Sequence, residues 1–333
     1  MLEMKIIANV LLSIFCANVY AEITNDGRLA LRDGALGRYT YRVVDDEGNV
    51  VSNARAHVWF TSYGRPQDKA DWIVETDTNG MFTVEHRFNE KFSVGIDKEG
   101  YYHSRDEINY LAMPELPVKE GKWQPYGQQQ MITLKRIRKP QQMNGSACYV
   151  DFKIPAYDDW VGFDFDRNQF VAPYGQGEFS DVLLRFTRKA KGRNDYHMSM
   201  EVSFTNQMYA GAYVLKQDSQ SEMKSIYNAE TNAMFVQSFS YVYDRPAKDG
   251  CVQEKLKEDE YLVFRTRTVV NDHGQLVSAR YGKIYGPWHY VGPRGMSIHS
   301  VYFNPMPNDT NLEDCHTFEE NEKIWRRNRG RLQ

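Results

Sequence analysis

Apolar and polar residues alternate in short runs along most of the chain. Tyr39, Tyr41 and Val43 lie on one face of the first run, and residues 54–60 resume the pattern after the turn sequence DDEGN. A period of two is typical of a β-strand with one buried face. Turns that contain Gly, Asn or Asp separate the runs at short intervals, so the pattern predicts antiparallel β-sandwich structure.

The stretch VETDTNGMFTVEH, residues 74–86, places a tight turn between two alternating runs. Its composition predicts a β-hairpin with positive φ at Asn79 and Gly80, because Gly and Asn tolerate that conformation. Residues 91–97 predict a further strand, which a turn at Gly100 follows.

The second half of the chain shows the same alternation, for example at residues 182–186 and 198–204. Residues 260–286 predict two strands around the turn NDHG. Residues 221–235 are the one segment that favours a helix, because their apolar residues recur at helical spacing.

The chain has 333 residues, which is more than one small core usually holds, so two domains are expected. The boundary is placed in KRIRKPQQMNG, where a strand runs into a basic segment that contains Pro140. The predicted domains are residues 22–138 and residues 139–333, the latter ending in a charged tail. The second domain is expected to be a larger antiparallel β-sandwich or a jelly-roll-like domain.

The N-terminus has the features of an export signal. Lys5 precedes a short apolar run, and Val19 and Ala21 supply a cleavage site, so residues 1–21 are interpreted as a signal peptide. A buried strand and a membrane anchor are the alternatives, although the run is short for a membrane span. Export predicts a periplasmic or extracellular protein.

Export also implies an oxidising compartment, in which disulfides persist. Cleavage would leave Cys148, Cys251 and Cys315, an odd number that suggests one disulfide and one free thiol. Cys251 and Cys315 are the favoured pair, because both lie in polar, loop-like sequence where a crosslink stabilises most.

Charge and composition exclude some partners. A net charge of −3 leaves no basic excess to neutralise phosphates, so nucleic acid is not an expected partner. The 22 Tyr and 17 Phe suit pleated, half-buried surfaces. The eight His are scattered without metal-ligand spacing, so no metal site and no cofactor is predicted.

Three spaced motifs carry a resemblance: YRVVDDEGNVVSNARAHV, TDTNGMFTVEH and FSVGIDKEGYY. Together they resemble the carboxypeptidase regulatory-like, or transthyretin-like, β-sandwich family over residues 35–138. The resemblance implies a non-catalytic module of the kind that accompanies secreted enzymes, adhesins and polysaccharide-associated proteins. It carries no catalytic residue over to this chain.

Further motifs make most of the chain similar to a group of exported bacterial proteins with no established activity. These motifs are LKRIRKP, FVAPYGQGEFSDVLLRF, RYGKIYG and YFNPMPNDTNLE. The similarity supports export and architecture and implies no particular reaction.

The most suggestive segment is YDDWVGFDFDRNQFVAPYGQGEFSD, residues 157–181, which concentrates carboxylates and aromatic rings. Aromatic rings stack on sugar faces, and carboxylates accept hydrogen bonds from sugar hydroxyls. The candidate binding residues are Trp160, Asp164, Asp166, Tyr174 and Glu178. A structural interpretation stands beside this one, because Asp is common in loops where it caps its own backbone.

A pair of carboxylates about 5–10 Å apart is also what glycoside hydrolysis requires. Two of Asp164, Asp166, Glu178 and Asp181 would then face each other across a cleft. In NPMPNDTNLEDCH, residues 304–316, clustered oxygen ligands are compatible with Ca²⁺, but the spacing matches no EF-hand and a capped turn is simpler.

The sequence therefore favours an exported, non-catalytic binding or surface-assembly protein whose ligand is a glycan or a cell-envelope component. The alternative is a secreted hydrolase of the glycoside hydrolase type, with the N-terminal domain as its accessory module. A scaffold that binds only protein partners is a third possibility. No GxSxG sequence indicates a hydrolase elbow.

Overall fold

A computed structural model describes residues 24–64, 69–146, 150–192, 195–205, 208–245, 257–286, 288–291, 295–298 and 300–315. Four features predicted from the sequence lie outside this part of the chain: the signal peptide at 1–21, Cys148, Cys251 and the charged tail after residue 315. The predicted disulfide between Cys251 and Cys315 thus has only Cys315, which is exposed, among the described residues.

The chain divides into two compact units, one formed by Met1–Ile137 with Gln220–Glu222 and the other by Arg138–Ser219 with Met223–Gln333. The elements of the first unit are α1 Asn25–Asp33, β1 Ala35–Asp45, β2 Arg55–Thr61, β3 Ala70–Glu75, β4 Met81–Phe88, β5 Lys91–Asp97, β6 Ser104–Asn109, a 3-10 helix at Tyr110–Ala112, β7 Val118–Lys119, β8 Lys122–Trp123 and β9 Gln129–Leu134. Those of the second unit are β10 Asn144–Ser146, β11 Val150–Lys153, β12 Trp160–Asp164, β13 Gln169–Phe170, β14 Val182–Gly192, β15 Asp195–Phe204, β16 Gly211–Lys216, β17 Ser238–Arg245, β18 Glu260–Val270, β19 Leu276–Tyr285, β20 His289–Val291, β21 Gly295–Ile298 and β22 Val301–Phe303.

Strands dominate both units, which confirms the predicted all-β class. No helix of the described residues combines the length and the apolar character that crossing a bilayer requires.

Helix α1 was not predicted from the sequence, although its ends carry the usual signals. The Thr24 hydroxyl accepts a hydrogen bond from the Gly27 N–H at 3.1 Å, as an N-cap does. Asp26 lies in the first turn and Arg32 in the last, where each complements the helix dipole. Gly34 ends the helix with φ of 77°.

The first unit is a sandwich of two sheets. Sheet A contains β4, β1 and β9 with the short β8 and β7, and sheet B has the order β3-β2-β5-β6. Their inner faces share one aromatic core, in which the rings of Tyr39 and Phe92 stack 3.8 Å apart. Along the outer edge of β6, the Arg105 N–H donates to the Gln220 carbonyl at 2.8 Å, and the Glu222 N–H donates to the His103 carbonyl at 2.9 Å.

The turn at residues 76–80 corrects the predicted hairpin. β3 pairs with β2 and β4 pairs with β1, so the flanking strands belong to different sheets and the turn carries the chain across the core. Gly80 has positive φ as predicted, whereas Asn79 does not. Instead, the Asp77 carboxylate accepts the N–H groups of Asn79 and Met81, each at 2.8 Å.

Replacing Gly80 with alanine is expected to destabilise the protein by about 1 kcal/mol more than replacing Gly100. Both glycines have positive φ, at 70° and 82°. A Cβ on Gly80 would lie 2.6 Å from the Val43 carbonyl oxygen, whereas a Cβ on Gly100 would meet nothing within 4 Å. Gly100→Ala therefore measures the conformational cost alone, about 1 kcal/mol. Equal denaturation midpoints for the two variants would contradict the close approach at Gly80.

The described residues of the second unit form three sheets. Sheet C has the order β13-β12-β14-β15-β17, sheet D the order β10-β22-β19-β18-β16, and sheet E the order β11-β21-β20. Sheet C packs against sheets D and E over a large core that includes Phe165, Phe264 and Trp288. The other face of sheet D is buried as well, in a second cluster that includes Tyr261 and Leu312. Strand β18 is accordingly buried on both faces along most of its length.

The helix predicted at residues 221–235 is wrong. The segment is irregular, and two of its N–H groups donate to tyrosine side chains of sheet D. The Ile226 N–H donates to the Tyr261 hydroxyl at 2.9 Å, and the Glu230 N–H donates to the Tyr213 hydroxyl at 2.8 Å. Tertiary packing therefore overrides a weak local helix pattern.

Candidate functional site

The acidic-aromatic segment lies at one end of sheet C. Strand β12 ends at Asp164, a turn leads to β13, and residues 171–180 form a loop that folds back on β13. A Cβ on Gly177 would lie 2.9 Å from Cβ of Asp164. Glycine at this position thus lets the loop approach the strand end closely.

Asp164 fastens this loop through its side chain, which is fully buried. Its Oδ1 accepts the N–H groups of Asp166 and Arg167 at 3.0 and 3.2 Å. Its Oδ2 accepts the N–H groups of Glu178 and Phe179 at 2.8 and 3.1 Å. One carboxylate therefore holds both the β12–β13 turn and the far end of the loop.

Arg267 of β18 joins three of the acids into one cluster. Its guanidinium donates to Asp164 at 2.9 Å, to Asp166 at 3.3 Å and to Asp181 at 3.0 Å. The guanidinium also lies 4.4 Å from the ring centroid of Phe179. We call Arg267 with Asp164, Asp166 and Asp181 the Arg267 cluster.

Asp181, like Asp164, is almost completely buried. It accepts hydrogen bonds from the Phe165 N–H at 2.9 Å and the Thr266 hydroxyl at 3.0 Å. Burial raises the pKa of Asp181 above its usual range, although the hydrogen bonds and charge of Arg267 act to lower it. The carboxylate thus depends on Arg267 for its charged form.

Arg267 was not among the residues predicted from the sequence, because it lies far from the acidic segment along the chain. The available signal was the presence of two arginines within LVFRTRTVV, an otherwise apolar strand pattern, since a charged group on a buried strand requires polar partners. The structure therefore gives Asp164, Asp166 and Asp181 a shared structural contact that the sequence did not indicate.

A different group faces outward from sheet C. The ring of Trp160 is 42% exposed, and the Arg185 guanidinium lies 4.9 Å from its centroid. One nitrogen of Arg185 donates to both carboxylate oxygens of Glu201, at 2.7 and 2.6 Å. These three residues are direct neighbours across β12, β14 and β15.

Two hydroxyls extend this outward group along the same face. Thr187 and Ser199 are cross-strand partners two residues beyond Arg185 and Glu201, and their hydroxyl oxygens lie 2.6 Å apart. We call Trp160, Arg185, Thr187, Ser199 and Glu201 the Trp160 surface.

The remaining candidate residues are more scattered. Tyr174 is 44% exposed on the loop after β13. Glu178 is exposed and forms an ion pair with Arg167. Asp166, besides its contact with Arg267, accepts a hydrogen bond from the Asn144 amide at 2.7 Å. The five candidates therefore divide into exposed residues and members of the Arg267 cluster.

The acids of residues 304–316 accept hydrogen bonds from main-chain N–H groups. Asp309 accepts the Asn311 N–H at 3.0 Å, and Asp314 accepts the Met143 N–H at 3.3 Å. Across the part of the chain that the structure describes, no three His, Cys, Asp or Glu side chains are grouped so as to hold a metal ion. The Asp309 contact matches the capped-turn interpretation of residues 304–316, whereas the Asp314 contact joins this segment to Met143.

No protein-family model and no curated protein matches the chain. Among solved structures, 3-chlorocatechol 1,2-dioxygenase from Rhodococcus opacus 1CP is 16% identical over 31% of this chain and 61% of its own, with a TM-score of 0.25. Hydroxyquinol 1,2-dioxygenase from Pseudomonas putida DLL-E4 is 14% identical over 32% of this chain and 58% of its own, with a TM-score of 0.23.

A third similar structure is a candidate carbohydrate-binding protein from Bacteroides uniformis ATCC 8492. It is 10% identical over 81% of this chain and 99% of its own, with a TM-score of 0.18. The chain thus spans 61% and 58% of the length of the two dioxygenases. TM-scores this low carry no argument about the activity or the ligand of this chain.

Proposed function

We propose that this protein is an exported, non-catalytic glycan-binding protein whose Trp160 surface contacts the glycan. One observation carries the proposal. The Trp160 ring stays 42% exposed while Arg185, itself paired with Glu201, lies against it.

Sugar rings present apolar C–H faces and a rim of hydroxyls. A surface that binds them needs an aromatic ring for the face and fixed donors and acceptors for the rim. Trp160 supplies the ring, Arg185 supplies donors and Glu201 supplies acceptors. The hydroxyls of Thr187 and Ser199 add groups that can donate or accept. Because the Arg185–Glu201 pair exists before the ligand arrives, binding orders fewer side chains.

The acids of the segment support binding over catalysis. Glycoside hydrolysis requires a proton-donating acid and a second carboxylate that face the scissile bond. Asp164 and Asp181 are instead buried among main-chain N–H groups and Arg267. Glu178 pairs with Arg167. The hydrolase alternative would need these carboxylates to leave their present partners.

Export and an accessory-type first unit belong to the same proposal. Residues 1–21 support export by their composition. The two-sheet sandwich of the first unit supports the resemblance to transthyretin-like modules. An exported protein with such a module and an exposed tryptophan surface is consistent with a ligand in the cell envelope or in its surroundings.

Replacing Trp160 with alanine is expected to weaken glycan binding by about thirtyfold, the effect of losing a central aromatic contact. The measurement is a glycan array on the chain from Glu22, followed by titration of the best ligand. Tyr63→Ala is the matched control, because Tyr63 is 77% exposed in the first unit and should leave affinity unchanged.

Unchanged affinity in Trp160→Ala would remove the Trp160 surface from the proposal. Failure of the unsubstituted chain to bind any glycan would overturn the function itself, and cleavage of an arrayed glycan would favour the hydrolase alternative.

A further inference from the structure

The outward face of sheet C continues beyond the Trp160 surface. Trp160 is the cross-strand partner of Arg185, which is in turn the partner of Glu201. On its other side, Glu201 is the partner of Ser240 in β17. These residues form one row across four strands, and because neighbouring strands lie about 4.8 Å apart, the row is about 14 Å long. The proposed function so far gives Ser240 no role.

The row offers groups that the fold leaves available. The Trp160 ring is 42% exposed at one end. Ser240 is exposed at the other end, and its hydroxyl has no partner among the residues that the structure describes. In the pair between Arg185 and Glu201, only the Nη2 atom of Arg185 donates. Its Nη1 atom therefore keeps two N–H groups that can donate to a ligand.

The charged side chains of this face balance one another. Arg185 and Lys189 of β14 carry two positive charges, and Glu201 and Asp244 carry two negative ones. Arg185 is paired with Glu201, and Lys189 lies in the row in which the His197 imidazole is hydrogen-bonded to Asp244 at 2.6 Å. A ligand with a net charge of either sign would therefore meet a like charge beside each opposite one. The face favours a neutral ligand.

The loop at residues 171–180 limits the direction in which a ligand can lie. Gly162 follows Trp160 by two residues in β12 and faces the same side of the sheet. The Ser180 hydroxyl and the Val171 side chain lie against Gly162, where a Cβ would clash with the hydroxyl. The loop thus covers the face on that side of Trp160. A ligand on Trp160 can instead extend across the strands towards Ser240.

We propose that the glycan is a neutral, linear chain that crosses the four strands, with one sugar on Trp160 and a later sugar at Ser240. A sugar ring is similar in size to the indole on which it stacks, so one ring cannot contact both ends of a row about 14 Å long. Between the ends, Arg185 Nη1 donates to sugar hydroxyls. This inference rests on the proposed glycan-binding function and specifies its ligand class.

The test is calorimetric titration of the chain from Glu22 with linear oligosaccharides of glucose, xylose and mannose, each as the disaccharide and the hexasaccharide. At least one hexasaccharide is expected to bind about tenfold more tightly than its disaccharide, because only the longer chain reaches Ser240. Added salt should leave this affinity unchanged, since the ligand carries no charge. Equal affinity for the two lengths of every sugar would overturn the inference.

A longer chain also offers more registers for the same contact with Trp160, so a variant at the far end of the row is decisive. Ser240→Ala should weaken binding of the hexasaccharide about fivefold and leave the disaccharide unaffected. Ser219→Ala is the matched control, because Ser219 is exposed in the same unit but lies outside sheet C. Both serines are exposed, so neither change is expected to impair folding, and circular dichroism checks this. Unchanged affinity of Ser240→Ala for the hexasaccharide would overturn the inference.

The outcome separates this inference from the proposed function. If glycan binding depends on Trp160 but not on chain length or Ser240, the extended row fails and the function stands. Binding that falls steeply with added salt would likewise replace the neutral chain with an acidic glycan. If no glycan binds, the function fails with the inference.

Discussion

Replacing Arg267 with methionine is expected to lower the free energy of unfolding by about 3–5 kcal/mol, the cost of leaving buried carboxylates without their cation. The side chains of Asp164 and Asp181 are 1% and 0% exposed, and that of Arg267 is 20% exposed. Water therefore cannot replace the guanidinium. Loss of Arg267 should also loosen the loop at residues 171–180, which Asp164 holds.

The measurement is urea denaturation at pH 7, with Arg167→Met as the matched control. Arg167 also pairs with an acid of this segment, Glu178, but the two side chains are 53% and 60% exposed. An exposed pair of this kind is worth about 0–1 kcal/mol. Similar losses in the two variants would contradict a structural role for the Arg267 cluster.

The effect of Arg267→Met should depend on pH. The pKa of Asp181 is already raised by burial, and removal of Arg267 raises it further. A raised pKa means that the folded state holds the proton at a pH where the unfolded state has released it, so protonation favours folding. The variant should therefore recover part of its lost stability as the pH falls from about 7 to about 4. A stability difference between the variant and the original protein that stays constant over this pH range would contradict this account.

Replacing Lys283 with methionine is expected to raise the free energy of unfolding at pH 7 by about 2–3 kcal/mol. Lys283 is buried at 3% exposure in sheet D, and burial lowers its pKa from 10.5 to about 8. The charges of Asp314 and Glu313 offset only part of that effect. The ammonium donates to the Ser225 hydroxyl at 2.9 Å, and losing this bond reduces the gain.

The gain from Lys283→Met should shrink as the pH rises. Between the folded pKa of about 8 and the unfolded value of 10.5, the unfolded chain binds more protons than the folded chain. The stability contribution of Lys283 therefore rises with pH across this window, while methionine contributes no such change. The difference in unfolding free energy between the two proteins is measured by denaturation at several pH values. Tyrosine titration near pH 10 affects both proteins alike and therefore cancels in this difference.

Lys216→Met is the matched control for Lys283→Met. Lys216 lies in the same sheet but is 72% exposed beside Asp259, which is 59% exposed. Its replacement should change stability by less than about 1 kcal/mol at any pH. A variant at Lys283 that is less stable than the original protein at pH 7 would show that the hydrogen bond outweighs the burial cost.

Local features of the fold could be predicted because their causes are local. Alternation identified the strands, and the turn NDHG correctly placed a hairpin between β18 and β19. Sheet partners could not be predicted in this way, since they depend on contacts between residues that are far apart along the chain. The turn at residues 76–80 shows this: its residues specify a tight turn, but nothing in them specifies that β3 and β4 join different sheets.

The candidate site was predictable to the same degree. The sequence identified Trp160 as an aromatic candidate, and its exposure is compatible with that role. The sequence pattern also grouped the buried Asp164 with residues that are exposed, because the identity of a side chain gives its charge and not its burial. Arg267 could be connected to Asp164 only through the packing of β18 against the end of β12.

The pairing of residues 220–222 with β6 determines when the first unit can be completed during synthesis. Ribosomes add about 5–20 residues per second, so about 4–16 s separate Ile137 from Gln220. During that interval the edge of β6 has no partner from these residues. Arg105, Asp106 and Glu107 place charges along this edge, and charged edges resist pairing with other chains. These charges disfavour pairing of the β6 edge with other chains until the last segment of the unit emerges.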